Sequence, residues 1–257
     1  WQLTLGLYGV VASLLFATVF FSTRERIAPP PEQRSDVRQD LRDLLDNRPW
    51  MVLFVLALLI MVTIVMRSGA TVYYLKYYLE RPELTGWFLG GYSLALAAGA
   101  ALTPVMTRFV DKKRLMVWLM AAAGVLSCAM FLVPRDAVWL LFLLNTLVGL
   151  VLGPKSPLAF SMYADCADYT EWKTGRRATA MTFSAATFSQ KLGGALAAAL
   201  IGWMLAAMGY VANEAQSDAS QLGIALLLTV IPGVVAFFAA AVMRAYPLDA
   251  STMVEVQ

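Results

Sequence analysis

Seven long runs without a charged residue recur along the chain, and they constrain its fold more than any other feature. A helix needs about 20 residues to cross the hydrocarbon of a bilayer, and each run approaches or exceeds that length. Composition agrees, because 60% of the residues are hydrophobic and only 14% are charged. Continuous apolar runs indicate helices rather than the alternating strands of a membrane barrel. We therefore predict an all-α polytopic membrane protein with seven transmembrane helices, built on the charge-free runs 1–23, 49–66, 84–107, 115–134, 137–154, 192–213 and 219–243. Apolar residues continue beyond Arg67 to Tyr78 and precede Lys191 from Ala178, so we expect the second and sixth helices to include these extensions and their single charges.

The distribution of lysine and arginine between the runs predicts how the chain crosses the membrane. Six basic residues lie in 24–48, four in 108–114 and three in 173–177, and Arg244 follows the last run, whereas the opposite segments carry only Arg81 and Arg135. Because basic loops face the cytoplasm, we expect a cytoplasmic C-terminus. The predicted units are a transmembrane helix at 1–23, a central cytoplasmic loop at 24–49, a six-helix bundle at 50–243 and a cytoplasmic tail at 244–257.

The central loop at 24–49 contains the clearest signals for where one helix ends and the next begins. Three prolines at 29–31 interrupt any helix, and Ser35 then precedes a short amphipathic stretch with Val37, Leu41 and Leu45 on one side. At the N-terminus, Trp1 opens an apolar run with no basic residue before it, so no signal peptide is indicated. We expect the chain to lack its original start.

Three basic residues lie deep inside predicted spans with no acidic residue beside them. A cation in hydrocarbon costs roughly 3 kcal/mol even on the lenient insertion scale, so each side chain must face a cavity, a substrate or a partner. Arg67 either reaches outward or pairs across the bundle. Lys155 lies between Pro154 and Pro157, where the interrupted helix lines a cavity or merely kinks and lets the lysine reach the surface. Lys191 lies near the middle of its span, and we predict a functional role for it.

Two groups of polar residues accompany these cations. Thr187 and Gln190, beside Lys191, either bind hydroxyl-rich ligands or join helices. At the cytoplasmic edge, residues 165–177 hold a dense set of charges that either forms ion pairs of a cytoplasmic gate or is a solvated turn. The gate candidates are Asp165, Asp168, Glu171, Arg176 and Arg177.

The chain lacks the residue types that several kinds of functional site require. The chain has no histidine and only two distant cysteines, so neither a metal site nor another cofactor is expected, and no nucleophile and base can be paired for an enzyme. We also expect no nucleic-acid partner. All seventeen acidic residues lie in loops or at span ends. A site for a coupling cation needs carboxylates at membrane depth, so we expect that site mainly in absent N-terminal helices.

Residues 162–196, MYADCADYTEWKTGRRATAMTFSAATFSQKLGGAL, closely resemble the glycoside-pentoside-hexuronide:cation symporter family of the major facilitator superfamily. Supporting matches are residues 23–26 (TRER), 40–42 (DLR) with 47–49 (NRP), and 67–70 (RSGA). The resemblance implies helix 6 and the C-terminal six-helix half of a bacterial inner-membrane carrier, which moves a sugar or glycoside with Na⁺ or H⁺ by alternating access. Its partners would be that substrate, membrane lipid and the missing N-terminal helices.

The resemblance also assigns residue roles. Lys191 matches a lysine of the family's eleventh helix that serves the shared sugar and cation region. Where the melibiose carrier is aromatic in its tenth helix, this chain has Lys155 and Ser156, which favours an anionic sugar such as a uronide or sulfosugar. The predicted substrate-binding residues are Lys191, Lys155, Arg67, Thr187 and Gln190. A lysolipid or other lipid carrier of the same fold, and a non-transporting membrane module, are the alternative hypotheses.

Overall fold

The structure is a computed structural model that describes residues 2–24, 37–175 and 179–248, together with 252, 253 and 255. Every regular element in these ranges is helical, as predicted. The chain divides into two compact units, residues 1–36 and 37–257. The first unit contains one long apolar helix, α1 (Gln2–Ser22). The second contains all the other helices and the whole packed core.

The second unit contains nine α-helices within its described residues. In chain order they are α2 (Val37–Leu45), α3 (Arg48–Tyr73), α4 (Thr85–Phe109), α5 (Lys112–Phe131), α6 (Val138–Leu152), α7 (Lys155–Thr174), α8 (Thr179–Ala207), α9 (Asp218–Leu228) and α10 (Val230–Arg244). A π-helical turn, Tyr74–Tyr78, extends α3, and a short 3-10 turn, Pro82–Leu84, precedes α4.

Seven helical segments among the described residues are long and apolar enough to span a membrane. This number confirms the seven predicted spans. The two predicted extensions are also confirmed, because the second span continues past Arg67 and the sixth begins at Thr179, well before Lys191. The bounds are Gln2–Ser22, Arg48–Tyr78, Pro82–Phe109, Lys112–Phe131, Val138–Thr174, Thr179–Ala207 and Asp218–Arg244. Two of these spans are interrupted helices, formed by α6 with α7 and by α9 with α10.

The start of α3 is fixed by its cap and then tied to α7. The side-chain oxygen of Asn47 accepts a hydrogen bond of 3.0 Å from the backbone N–H of Trp50, and Pro49 occupies the first turn, where no N–H is needed. The amide nitrogen of Asn47 donates to Thr170 Oγ1 at 2.7 Å. A single side chain therefore caps one helix and anchors it to another at what the predicted orientation makes the inner end.

The break between α6 and α7 follows from Gly153 and Pro154. Pro154 lacks the backbone N–H that a continuous helix would need. Gly153 lies so close to α4 that a Cβ atom there would overlap the carbonyl oxygen of Leu96 and lie 2.6 Å from the Cα of Gly99. The predicted interruption before Lys155 is thus confirmed, and the backbones of α4 and α6 touch beside it.

Three local predictions differ from the structure. The segment after Asp165 is helical to Thr174 rather than a turn, because nothing in it opposes a helix until Gly175 adopts a φ of +68°; Arg176 and Arg177 lie outside the described residues. The helix α2 is present, but among its side chains whose burial is described Leu44 is buried, whereas Leu41 and Leu45 of the predicted stripe are exposed. Finally, the span that ends at Arg244 is broken at Thr229, which the sequence pattern did not predict.

The core of the second unit surrounds α3, which packs closely against α8 and α10. The closest approach to α8 is at Gly193, where a Cβ atom would lie 2.5 Å from the carbonyl oxygen of Leu58. Beyond Arg244 the chain turns back, so that Tyr246 and Leu248 are buried. Burial raises the pKa of the Tyr246 hydroxyl, whose oxygen lies 3.7 Å from the sulfur of Cys166.

Candidate functional site

A cavity between α3, α7 and α8 contains two of the predicted substrate-binding residues. We call it the Lys155 pocket; its volume is about 390 Å³, including its open mouth. Its lining residues are Ala57, Ile60, Met61, Lys155, Ser156, Ala159, Phe160, Tyr163 and Gln190.

Lys155 brings a nearly buried positive charge to this pocket. It is the first residue of α7, directly after the helix break, and only 7% of it is exposed. Its ammonium donates a hydrogen bond of 3.0 Å to the hydroxyl of Ser156. Among the described residues, no carboxylate lies within 4 Å of the ammonium. A buried cation without an anionic partner is unfavourable, so the pocket suits a negatively charged ligand.

Two aromatic rings, Phe160 and Tyr163, line the pocket with the lysine, and a third ring packs against both of them. Phe160 stacks on Phe183 with ring centroids 6.2 Å apart, and Tyr163 meets Phe183 edge to face at 6.0 Å. Gln190 of α8 lines the pocket next to the hydroxyl of Tyr163. Sequence reasoning missed Phe160 and Tyr163, which lie five and eight residues after Lys155 and thus about 140° and 80° around α7 from it, so helical spacing alone gave no signal for them.

The two remaining candidates on α8 lie next to the pocket but do not line it. Thr187 is exposed, and its hydroxyl donates to the carbonyl oxygen of Phe183 at 2.9 Å. Lys191 is exposed, and it forms no ion pair within the part of the chain that the structure describes. Because Gln190 and Lys191 are adjacent in sequence, the exposed face of α8 begins where the Lys155 pocket ends.

Arg67 lies elsewhere, in the packed core between α3, α5 and α6. It is only 2% exposed, and its guanidinium donates to Ser127 Oγ at 3.0 Å and to Asn145 Oδ1 at 2.8 Å. It also donates to the carbonyl oxygen of Leu228 at 3.0 Å. Since Pro232 lacks the N–H that would bond this carbonyl in a continuous helix, Arg67 satisfies an acceptor left open at the α9–α10 break.

The structure therefore resolves the two alternatives for Arg67 in favour of pairing across the bundle. It joins α3 to α5, α6 and the end of α9. It does not contribute to the Lys155 pocket, whose lining does not include it.

Among the gate candidates, Asp165 has a defined charge partner. It forms an ion pair of 2.7 Å with Lys112 at the start of α5, and 13% of its side chain is exposed. Asp168 and Glu171 lie further along α7, half-buried and exposed respectively. The observed pair connects α7 to a neighbouring helix rather than joining charges within residues 165–177, and the gate hypothesis stays a prediction.

The part of the chain that the structure describes offers no cluster of three or more metal-binding side chains. Cys128 and Cys166 are free thiols on different helices.

Comparison with known proteins agrees with this architecture. The family model described as MFS/sugar transport protein matches residues 1–250. The inner membrane symporter YicJ of Escherichia coli K12 is 35% identical over 94% of this chain and 53% of its own length. The putative glycoside/cation symporter YagG of the same strain is 34% identical over 89% and 49%. An isoprimeverose transporter of Lactiplantibacillus pentosus is 33% identical over 84% and 46%. The chain thus spans about half the length of these relatives.

Proposed function

This chain belongs to the MFS/sugar transport protein family, and we propose that it forms the substrate-selecting half of a cation-coupled carrier for an anionic sugar or glycoside. The observation that carries this proposal is the nearly buried Lys155, which faces a pocket with no carboxylate within 4 Å among the described residues. A carboxylate or sulfonate on the sugar would supply the absent negative charge through a charge-assisted hydrogen bond.

The remainder of the pocket suits a sugar ring. Phe160 and Tyr163 offer flat apolar surfaces for the C–H groups of the ring. Gln190 and Ser156 provide amide and hydroxyl groups for its hydroxyls. One side of the pocket is open, so we propose that the preceding half of the carrier closes it, with Lys191 facing that half.

We propose that Na⁺ or H⁺ drives the transport and binds mainly to the part of the carrier that precedes this chain. The Lys155 pocket itself has no acidic lining residue, and carboxylates at membrane depth are the usual ligands of a coupling cation. The name of one relative, a putative glycoside/cation symporter, supports this proposal. Alternating access would then rock the two halves around a site near the midplane.

The test is uptake of labelled sugars into vesicles that contain the full gene product, with and without a Na⁺ or H⁺ gradient. We expect gradient-driven uptake of glucuronate and related anionic glycosides. In the Lys155→Gln variant, the KM for the anionic sugar should rise at least about tenfold, which corresponds to the loss of one hydrogen bond between charged groups. Lys76→Gln is the matched control, because Lys76 is exposed and pairs with Asn213 instead.

Two results would contradict the proposal. Equal uptake of neutral isoprimeverose and glucuronate, unaffected by Lys155→Gln, would show that Lys155 does not select a charge. Transport of a labelled lysolipid that no sugar inhibits would replace the sugar carrier with a lipid carrier.

A further inference from the structure

Arg67 uses four of its five N–H donors within the protein. One terminal nitrogen donates to Ser127 and Leu228, and the other donates to Asn145 Oδ1 and, at 3.6 Å, to the sulfur of Met130. All of these acceptors are neutral. Within the described ranges, no carboxylate lies within 4 Å of the guanidinium. The hydrogen bonds are therefore nearly complete, but the buried positive charge has no counter-charge.

The fifth donor, the Nε–H of Arg67, has no hydrogen-bond partner among the described residues. The hydroxyl of Tyr92 on α4 is likewise buried and unpaired. Both residues line the same small cavity between α3, α4 and α6, together with Ser68, Thr71, Leu89 and Asn145. Two unpaired donors in one cavity are unusual, because buried polar groups are nearly always bonded.

The size of this cavity limits what it holds. Its volume is about 190 Å³ including its mouth, which opens beside the exposed side chain of Ser68, and its interior admits a single body of about the size of a water molecule. A sugar does not fit. Asn145 Oδ1 already accepts from Arg67, and the hydroxyl of Thr71 donates to the carbonyl oxygen of Arg67.

We propose that Arg67 and Tyr92 bind one monovalent anion such as chloride, with the lining side chains moving slightly outward because this ion is larger than a water molecule. The anion would accept from the Nε–H of Arg67 and the O–H of Tyr92, which pairs both orphan donors and neutralises the buried guanidinium. A water molecule in the same place would pair the donors but leave the charge uncompensated.

This anion site is separate from the Lys155 pocket. Ser68 lies seven residues after Met61, which lines that pocket, so the two cavities open near the same face of α3 about 10 Å apart along its axis. The Arg67 site lies where α3, α4 and α6 meet, and an anion there would stabilise that junction. Its existence does not depend on the sugar proposed above.

The primary experiment is binding of radioactive chloride to the purified full gene product in a sodium sulfate buffer, with bromide as competitor. We expect saturable binding of one chloride per protein. Tyr92→Phe removes one donor and keeps the ring, so it should weaken binding at least about tenfold, as expected for one lost hydrogen bond to a charged group. Tyr73→Phe is the control, because Tyr73 lies on α3 outside the cavity and packs against Tyr210; its affinity for chloride should be unchanged.

Thermal unfolding of the same proteins provides a second readout. A bound anion stabilises the folded state as its concentration rises above Kd, so chloride should raise the Tm of the Tyr73→Phe protein at concentrations that leave Tyr92→Phe unaffected. The proposal is overturned if no saturable chloride binding is found, or if Tyr92→Phe binds chloride as tightly as the parent. Displacement of chloride by glucuronate with the same dependence on Tyr92 would also overturn it, because the site would then belong to the transported sugar.

Discussion

Arg67 and Lys155 are both buried cations, but their positive charges have different surroundings. Arg67 is surrounded by the neutral acceptors of Ser127, Asn145 and Leu228, whereas Lys155 has only the hydroxyl of Ser156. A guanidinium has five donors in a rigid fork and suits a network, while an ammonium is a compact charge that suits a ligand. Both residues were identifiable from the sequence as charges in apolar runs. The hydrogen-bond acceptors of Arg67 were not identifiable, because they lie 60 or more residues away along the chain. The acceptor for Lys155 is simply the next residue, Ser156.

Asn145 gives the clearest prediction at the residue scale, because it bridges two buried groups. Its oxygen accepts from Arg67, and its nitrogen donates to the carbonyl oxygen of Phe88 at 3.0 Å. Asn145→Leu keeps the number and branching of side-chain heavy atoms but leaves a buried charged donor of Arg67 unpaired and removes the bond to Phe88, so we expect a loss of roughly 2–4 kcal/mol of stability. Thermal unfolding in detergent measures it. The control Gln221→Ala removes an exposed hydrogen bond from Arg135 and a longer one, 3.3 Å, to the carbonyl oxygen of Gln216, and it should change stability by less than about 0.5 kcal/mol.

At the scale of elements, apolar runs and prolines predict most of the helices and one of the two breaks. Pro154 marks the start of α7 because its missing N–H falls at the break itself. The break at Thr229 has a weaker signal, since Pro232 lies three residues later and its effect, the open carbonyl of Leu228, is satisfied by a distant arginine. The helical segment from Asp165 to Thr174 was missed for a different reason: its charges end the apolar run without opposing a helix.

The contact between α4 and α6 gives the prediction at this scale. In Gly153→Ala, the new Cβ would collide with the carbonyl oxygen of Leu96 and with the Cα of Gly99. Because these are backbone atoms, the two helices must separate, and we expect a loss of roughly 1–3 kcal/mol in thermal unfolding. Gly90→Ala on α4 is the control, since nothing lies within 4 Å of the position that its new methyl group would occupy. It should be neutral or slightly stabilising, and similar losses in both variants would contradict the close-contact argument.

At the scale of the whole molecule, the sequence predicts a polytopic helical protein but not which faces of its helices are apposed. Gly194, Ala198 and Gly202 form a small-residue stripe on α8, yet the tight contact with α3 is made by Gly193, one residue earlier. A shift of one residue turns the face by about 100°. A Cβ atom at Gly202 would have nothing within 4 Å and Ala198 is exposed, whereas a Cβ atom at Gly194 would be in ordinary contact with Val65 of α3. The stripe therefore turns from the edge of the α3 contact onto an open face, and periodicity alone does not decide whether lipid or water covers that face.

The proposed carrier requires that Lys191 face an aqueous path. The background protein carries Cys128→Ser and Cys166→Ala, so that it has no native cysteine. In this background, Lys191→Cys should react with a charged thiol reagent added from water, because only the hydrated thiolate is reactive. Leu196→Cys provides the control. Leu196 is also exposed on α8 but lies about 140° around the helix from Lys191, and for this apolar side chain we expect lipid as the neighbour.

We expect Lys191→Cys in the full gene product to react at least about tenfold faster than Leu196→Cys, since a thiol in hydrocarbon stays protonated. A transported sugar should slow the reaction at residue 191 only, which mass spectrometry of the labelled protein measures. Equal, slow rates at both positions would place lipid over the entire exposed face of α8. Lys191 would then be a membrane-facing cation rather than part of the transport path, and Lys155 would be left as the basic residue that selects the substrate.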